Sequence, residues 1–445
     1  MNTKHTYLQF ISFSRFFRWD VKAYAFQHKE FDNAVLLQDI LTPYDEPLSK
    51  AEMIEKGWSI ISKINFSGKL FLRKPEETKS FKGSLHIVDG DTLIYSKINV
   101  RHGCVYYHPN GATPFGVSSE YPTYKIDKKR VNGEFLVLLL QSQYFKDALS
   151  ARTSGISKAR VKPSVFLTVE IPLPSIEEQN KIVAAYNDSF DLAEQYDEQA
   201  DEKEGSIQQY IEAQLGIEQL TSYKLKQDSI LQFIKFKDTL LRWDPWKGDN
   251  IISSKYKIVR LQELIQQINT GTTPPTNKPE YFGGDIKFYT PSDIDGTMYL
   301  GESERTLSQK AVIDKKARIF QKGDLLFVGI GSTVGKVGVV NDDIVSSNQQ
   351  ITGLTLDAQT ILPEYAFVYM NANKNITTAE QSKTTLPIVN QEKIKNIQIP
   401  LPPMDVQNEI VAQVSEFKEQ IKSLRALAAD TRAAAIQQFE QTIFE

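Results

Sequence analysis

Ile171 to Ala184 reads IPLPSIEEQNKIVA, and Ile399 to Ala412 reads IPLPPMDVQNEIVA; nine of the fourteen positions are identical. Three other pairs precede them in matching order. Leu8 to Phe13 (LQFISF), followed by Arg18-Trp19-Asp20, returns as Leu231 to Phe236 (LQFIKF), followed by Arg242-Trp243-Asp244. Leu37 to Leu41 (LQDIL) returns as Leu261 to Ile265 (LQELI), and Gly90-Asp91-Thr92-Leu93 returns as Gly323-Asp324-Leu325-Leu326. Self-similarity at a long period signals a repeated architecture. The chain is therefore a tandem duplication of roughly 225 residues per copy.

Each copy has the same internal order. Short β-like runs punctuated by turn signals (Asp89-Gly90-Asp91, Gly283-Gly284-Asp285, Lys322-Gly323-Asp324) lead to a proline corner and then a helix. Ser175 and Glu178 after Pro174 form the S-x-x-E capping box that satisfies orphan backbone donors at a helix start. Pro403 and Asp405 open the second helix in a similar way. Both helices carry apolar seams at alternating spacings of four and three: Val183, Tyr186, Phe190, Ala193 and Ala200, broken by Asp197, and Ile410, Val414, Phe417, Ile421, Leu424, Ala428 and Ala435, with Thr431 as the polar position. Helices of about 40 residues run on the order of 60 Å and cannot bury such seams alone, so the expectation is an antiparallel pair. The expected division is a first globular domain over 1–174, a spacer helical region over 175–230, a second globular domain over 231–402 and a second spacer helix over 403–445. The fold class is α+β, two pseudo-symmetric α/β domains separated by two long antiparallel coiled-coil helices.

At 445 residues the chain exceeds what one hydrophobic core sustains. With 41% hydrophobic and 24% charged residues it has the composition of a globular protein. The lone Cys104 rules out an intramolecular disulfide framework and fits a reducing cytosol. Arg15 and Arg18 interrupt the apolar N-terminal stretch, and nowhere do about 18 apolar residues run together, so no export signal or membrane span is expected and the chain is placed in the cytoplasm. The net charge of -3 conceals an asymmetry: Glu177 to Glu204 alone carries -8, which leaves +5 for everything else. A footprint on phosphate needs local positive charge, and the remainder supplies it.

Catalytic motifs are imitated and fail on specific residues. Phe327-Val328-Gly329-Ile330-Gly331 looks like a methyl-donor loop but lacks a downstream Asn-Pro-Pro-Tyr motif. Gly331-Ser332-Thr333-Val334-Gly335-Lys336 is one residue short of a phosphate loop, and Val337 stands where a Ser or Thr would hold magnesium. The five histidines, His5, His28, His86, His102 and His108, show no metal-ligand spacing. No catalytic site, metal site or cofactor is expected, and the function is read as recognition by loops of the two variable segments.

Two divergent halves, each closing on an IPLP block and an acidic, glutamine-bearing helix start, resemble the specificity subunit of Type I restriction-modification enzymes. The second half resembles that family further in Gly271-Thr272-Thr273-Pro274, Tyr281-Phe282-Gly283-Gly284-Asp285-Ile286, Gly323-Asp324-Leu325-Leu326, Gly335-Lys336 and Asn348-Gln349-Gln350. The first half departs from this form: Tyr95-Ser96-Lys97-Ile98 and Val100-Arg101-His102-Gly103 resemble a different variant of the family's domains. The resemblance implies a non-catalytic subunit whose two target-recognition domains read double-stranded DNA, with two adenine methyltransferase subunits and restriction-translocase subunits as partners. Candidate contacts are Lys97, Arg101, Arg152, Lys158 and Arg160 in the first domain, and Thr273, Ser332, Thr333 and Lys336 in the second. Arg and Lys suit phosphates and guanine edges, and Ser and Thr suit either. Asn348 and Gln349 either read adenine or brace their loop, and Gly271, Gly329 and Gly335 are read as turn formers. The rivals are a fused methyltransferase-nuclease, which needs a methyl-donor fold that two assigned repeats leave no room for, and a scaffold that does not touch DNA, against which stand the Gly/Thr/Lys-containing loops of both halves.

Overall fold

In the computed structural model the described residues are 31–74, 77, 81–152, 160–219, 252–374 and 387–444. The repeated LQFISF and LQFIKF blocks and residues 220–230 of the expected spacer lie outside them. The chain divides into two compact units, residues 1–195 with 427–445, and residues 196–426.

In the first unit, β1 (Ala34–Leu36), β2 (Leu41–Pro43), β3 (Thr92–Tyr95), β4 (Val105–His108) and β5 (Thr123–Ile126) precede helix α1 (Gly133–Gln141); β6 (Glu170–Pro172) then leads into the long helix α2 (Ile176–Leu215). Strands β1 and β6 pair antiparallel with Val35 opposite Ile171. A four-stranded sheet has the order β2-β5-β3-β4. Thr92, Leu93, Ile94 and Tyr95 of β3 are all buried, because both faces of the sheet are covered. On one face lie Phe135, Leu136, Leu139 and Leu140 of α1 with Phe166, and on the other a second cluster of Ile60, Ile64, Val88, Ile94 and Phe115.

The second unit repeats this plan. It holds β7 (Ile258–Arg260), β8 (Ile265–Thr270), β9 (Phe282–Tyr289), β10 (Leu325–Val328), β11 (Val337–Val339), β12 (Ile344–Ser347), β13 (Ile351–Leu356), helix α3 (Pro363–Ala372) and β14 (Gln398–Pro400), which leads into the long helix α4 (Met404–Phe444). Val259 of β7 lies opposite Ile399 of β14, and the main sheet has the order β8-β13-β10-β11, strand for strand that of the first unit. The repeated Leu37 and Leu261 each begin a short 3-10 turn that follows the first strand of its pair, and both are fully buried. The shared Gly-Asp turn is bent differently in the two copies: the left-handed residue is Asp91, at φ 60°, in the first unit and Gly323, at φ 90°, in the second. What differs most is the added sheet. In the second unit β9 and β12 pair in parallel between Arg305–Leu307 and Ile319–Gln321, whereas the first unit carries three short strands, Pro47–Leu48, Leu85–Val88 and Phe115–Val117.

Helices α2 and α4 pack antiparallel. In the first unit Tyr186 of α2 meets Phe439 of α4 edge-on at 6.2 Å. In the second, Tyr210 meets Phe417 at 5.8 Å, and Arg425 Nη2 donates to Glu204 at 2.6 Å. Partner numbers on α4 fall as those on α2 rise. Val183, Ala193 and Ala200 are buried along α2, as are Ile410, Val414, Ile421, Ala428 and Ala435 along α4, so the seam expected from the spacing faces inward. Each long helix has one end in each unit. The Ser175/Glu178 capping box is formed, the Ser175 N–H donating to Glu178 at 3.0 Å, and these hydrogen bonds hold the Glu178 carboxyl below its ordinary pKa.

One glutamine explains why the IPLP block recurs. Gln179, fully buried, accepts from the Asn132 N–H at 2.8 Å and donates through Nε2 to the carbonyls of Arg130 at 2.9 Å and Pro174 at 2.8 Å. Gln407, also fully buried, accepts from the Leu362 N–H at 2.8 Å and donates to the carbonyls of Thr360 at 3.0 Å and Pro402 at 2.9 Å. Asn132 and Leu362 are the N-caps of α1 and α3. In both copies one side chain therefore ties three backbone groups: two at the approach to the domain helix and one in the proline corner. Replacing Gln407 by Leu strands a buried N–H and two carbonyls, and should cost about 2–4 kcal/mol. The expected readout is a lower urea midpoint for the second unit's transition, with Gln179→Leu doing the same in the first.

Candidate nucleic-acid interface

At the start of β13 the second unit gathers three loops that are far apart in sequence. Gly271 N–H donates to the Ile351 carbonyl and Thr272 N–H to that of Ser347, each at 2.9 Å, while Gly329 N–H donates to the Gln350 carbonyl at 2.8 Å. A fourth segment closes the set, because the Val389 N–H donates to the Gly329 carbonyl at 2.8 Å. The glycines permit this crowding. A Cβ on Gly271 would lie 2.2 Å from Ser347 Oγ and 2.3 Å from the Asn348 carbonyl, and one on Gly329 would lie 2.7 Å from the Val389 carbonyl. Gly331 and Gly335 adopt φ of 116° and 88°, which lets the Gly331–Gly335 turn fold back onto β10 through a Gly335 N–H bond to Val328 at 3.0 Å. Gly271 and Gly329 thus serve close approach between loops, and Gly335 serves a turn.

The sequence-selected side chains of this half sit on those loops, held to different degrees. Thr273 Oγ1 donates to Gln349 Oε1, joining the first loop to the third. Asn348 accepts from the Gln350 N–H at 3.0 Å and donates to Gln350 Oε1 at 2.9 Å, so its side chain braces the loop. Gln349 is exposed at the tip and Ser332 is exposed, while Thr333 is half-buried. Lys336 is half-buried, and its ammonium donates to the Ile294 carbonyl at 2.9 Å. Lys287 of β9 is occupied too, between Asp342 and Glu302, each at 3.1 Å; burial works against its charge, and the two carboxylates nonetheless hold the ammonium above its ordinary pKa.

The first unit builds a different surface. Lys97 donates from Nζ to the Ser119 carbonyl at 2.5 Å, and Arg160 Nη2 pairs with Glu120 at 3.2 Å, so both converge on residues 118–121. Ser118, Glu120 and Tyr121 also line a cavity of about 240 Å³ together with Arg73, Ser96 and Asn99. Arg101 stands in the 3-10 turn Val100–His102, closed by Gly103 at φ 85°, and its Nε is buried without a hydrogen-bond partner among the described residues. The side chain of Arg152, and Lys158 altogether, lie outside the described residues. Lys125 is engaged by Asp89, by the Gly90 carbonyl at 2.6 Å and by the face of Tyr44 at 4.2 Å. Although burial pushes the Asp89 carboxyl up, Lys125 and Tyr44 hold it below its ordinary pKa. Among the described residues no group of three or more His, Cys, Asp and Glu side chains could hold a metal ion, and no helix is long and apolar enough to cross a membrane.

Residues 253–429 match the family described as the Type I restriction modification DNA specificity domain. The chain is similar to the Type I restriction enzyme MjaIX specificity subunit of Methanocaldococcus jannaschii, 28% identical over 166 residues, 36% of this chain and 37% of that protein. It is also similar to the EcoBI specificity subunit of Escherichia coli, 25% identical over 292 residues, 61% of this chain and 56% of that protein. The chain thus spans between about a third and three fifths of these relatives. A chain solved in a study of complex assembly and conformational transition of the type I R-M system shares the fold, with a TM-score of 0.60 at 17% identity over 93% of this chain and 97% of that one.

Because Gly271 is where the first loop crosses the third, Gly271→Ala should destabilise the second unit by about 1–3 kcal/mol through overpacking. Thermal unfolding measures this, and an unchanged transition would mean that the loops are not packed against each other as described.

Proposed function

We propose that this chain is a non-catalytic DNA-specificity subunit of a Type I restriction-modification complex, reading a bipartite target with one half-site per unit. The observation that carries the reading is the duplication itself: two units of one strand order, each presenting its own loop surface, with residues 253–429 matching a DNA specificity domain. Different loops on one frame suit the reading of different base sequences, since each base pair shows its own donor and acceptor pattern in the major groove. Arg160, Gln349, Ser332 and Thr333 are the foremost candidates for contact, because they are exposed or half-exposed on their loops. Lys97 and Lys336 are bound to backbone carbonyls and position loops before they reach DNA. Arg101, Arg152, Lys158, Thr273 and Asn348 complete the set of candidates.

Half-sites about one helical turn, roughly 34 Å, apart would lie on one face of the duplex. Partners are two methyltransferase subunits and, where present, restriction-translocase subunits, with the acidic face of α2 turned to solvent or to basic partner surfaces. The chain itself needs no cofactor and works in the cytoplasm. Co-expression with the methyltransferase subunit, followed by mapping of N6-methyladenine across the host genome, should give one bipartite motif with a fixed gap. Exchange of residues 250–398 for those of a relative should alter one flank only. Methylation that persists unchanged when this chain is deleted would instead support a scaffold.

A further inference from the structure

The first unit carries a β-hairpin with no counterpart in the shared frame. Ile61–Ile64 pairs antiparallel with Leu70–Leu72, Lys63 opposite Phe71, around a turn in which the Asn65 side chain accepts from the Lys69 N–H at 2.7 Å. Ile61 and Ile64 face the core, so Lys63, Lys69, Phe71 and Leu72 are left exposed. Phe66, at the tip, is 65% exposed, so that with Phe71 and Leu72 the hairpin exposes three large apolar side chains.

Charge on this element is one-sided. From Lys56 to Lys74 there are five cations and no carboxylate. Lys56 is committed to Glu52 at 2.7 Å and Arg73 lies over the Phe81 ring at 5.7 Å. Lys63 and Lys69 have no ion-pair partner among the described residues; they flank the Phe71 ring at 5.2 and 6.0 Å. The tip is also joined to a candidate contact region. Phe66 lies 5.2 Å from the ring of His102, next to Arg101, and a Cβ on Gly103 would lie 3.1 Å from the Phe66 carbonyl and 3.2 Å from Lys146 Cε.

We propose that the Ile61–Leu72 hairpin is a sequence-independent grip on duplex DNA, Lys63 and Lys69 each neutralising a backbone phosphate while Phe66 covers the adjoining sugar edge. Uncompensated cations around an exposed aromatic match the chemistry of a phosphate backbone, which dominates affinity without carrying sequence information. The inference rests on the DNA-reading function proposed above and adds to it a contact that sets affinity alone. Both lysines are exposed, so their loss should leave folding intact.

The test is a salt titration of the full chain, co-expressed with its methyltransferase subunit, on a duplex of random sequence and on a duplex bearing the mapped methylation motif. K63A/K69A should weaken binding to both duplexes by the same factor, about tenfold, and lower the slope of log affinity against log salt by roughly 1.8, while the methylated motif stays the same. Phe66→Ala should weaken both duplexes equally with the slope unchanged. If the wild type binds and K63A/K69A matches it in affinity and slope, the hairpin makes no phosphate contact and the proposal is overturned, leaving an acidic protein partner as the reading of this surface. A wild type that binds neither duplex overturns the DNA-reading function and this inference together.

Discussion

Two buried glutamines, Gln179 and Gln407, set the geometry on which everything else in this chain depends. Each fills a point where a strand ends, a proline corner turns, a long helix begins and a domain helix is capped. Such a point leaves backbone N–H and C=O groups unpaired by any ladder, and burying them unpaired is costly. A glutamine amide has one acceptor and two donor hydrogens, which is the complement required, and a shorter or charged side chain would miss one of the three partners. By satisfying the corner, the residue ties the first turn of the long helix to the approach of the domain helix.

With the frame fixed this way, variation is confined to loops and to the added strands. The main sheets have the same order in both units, while the second unit adds a parallel pair and the first adds the basic hairpin. This is the arrangement expected where a constant scaffold positions variable recognition elements. It also sorts the cations. Lys125, Lys287 and Lys336 are spent on carboxylates or carbonyls within their own units, so their charge stabilises turns and strands; Lys63, Lys69 and, in part, Arg160 remain turned outward. A count of basic residues in the sequence does not distinguish these groups, because the distinction depends on which backbone carbonyl or carboxylate lies across a turn.

The duplication, the two long helices, their apolar seams and the capping box could all be read from the chain, since each rests on local pattern: identity between copies, a period of about 3.5, and a fixed S-x-x-E spacing. The Gly271 crossing could be read only as a glycine. That its Cβ would collide with residues 347 and 348 follows from three loops meeting across the sheet. The role of Gln179 and Gln407 was visible as a repeated letter without a reason, because their partners lie about 45 residues upstream. The pair of hydrogen bonds between Asn348 and Gln350 is likewise implied by no spacing rule.

What the sequence by itself determined is the plan: two copies, each an α/β domain closed by a proline corner and a long helix whose seam requires a partner helix. These features follow from periodicity and from obligatory pairing of backbone groups, which act over a few residues. The tertiary structure alone decided which loops meet, which lysines are consumed within the protein and which point outward, and how one glutamine joins a helix start to a distant cap. These depend on contacts between segments separated by tens of residues, where the relevant quantity is a distance in space and the sequence supplies only the order along the chain.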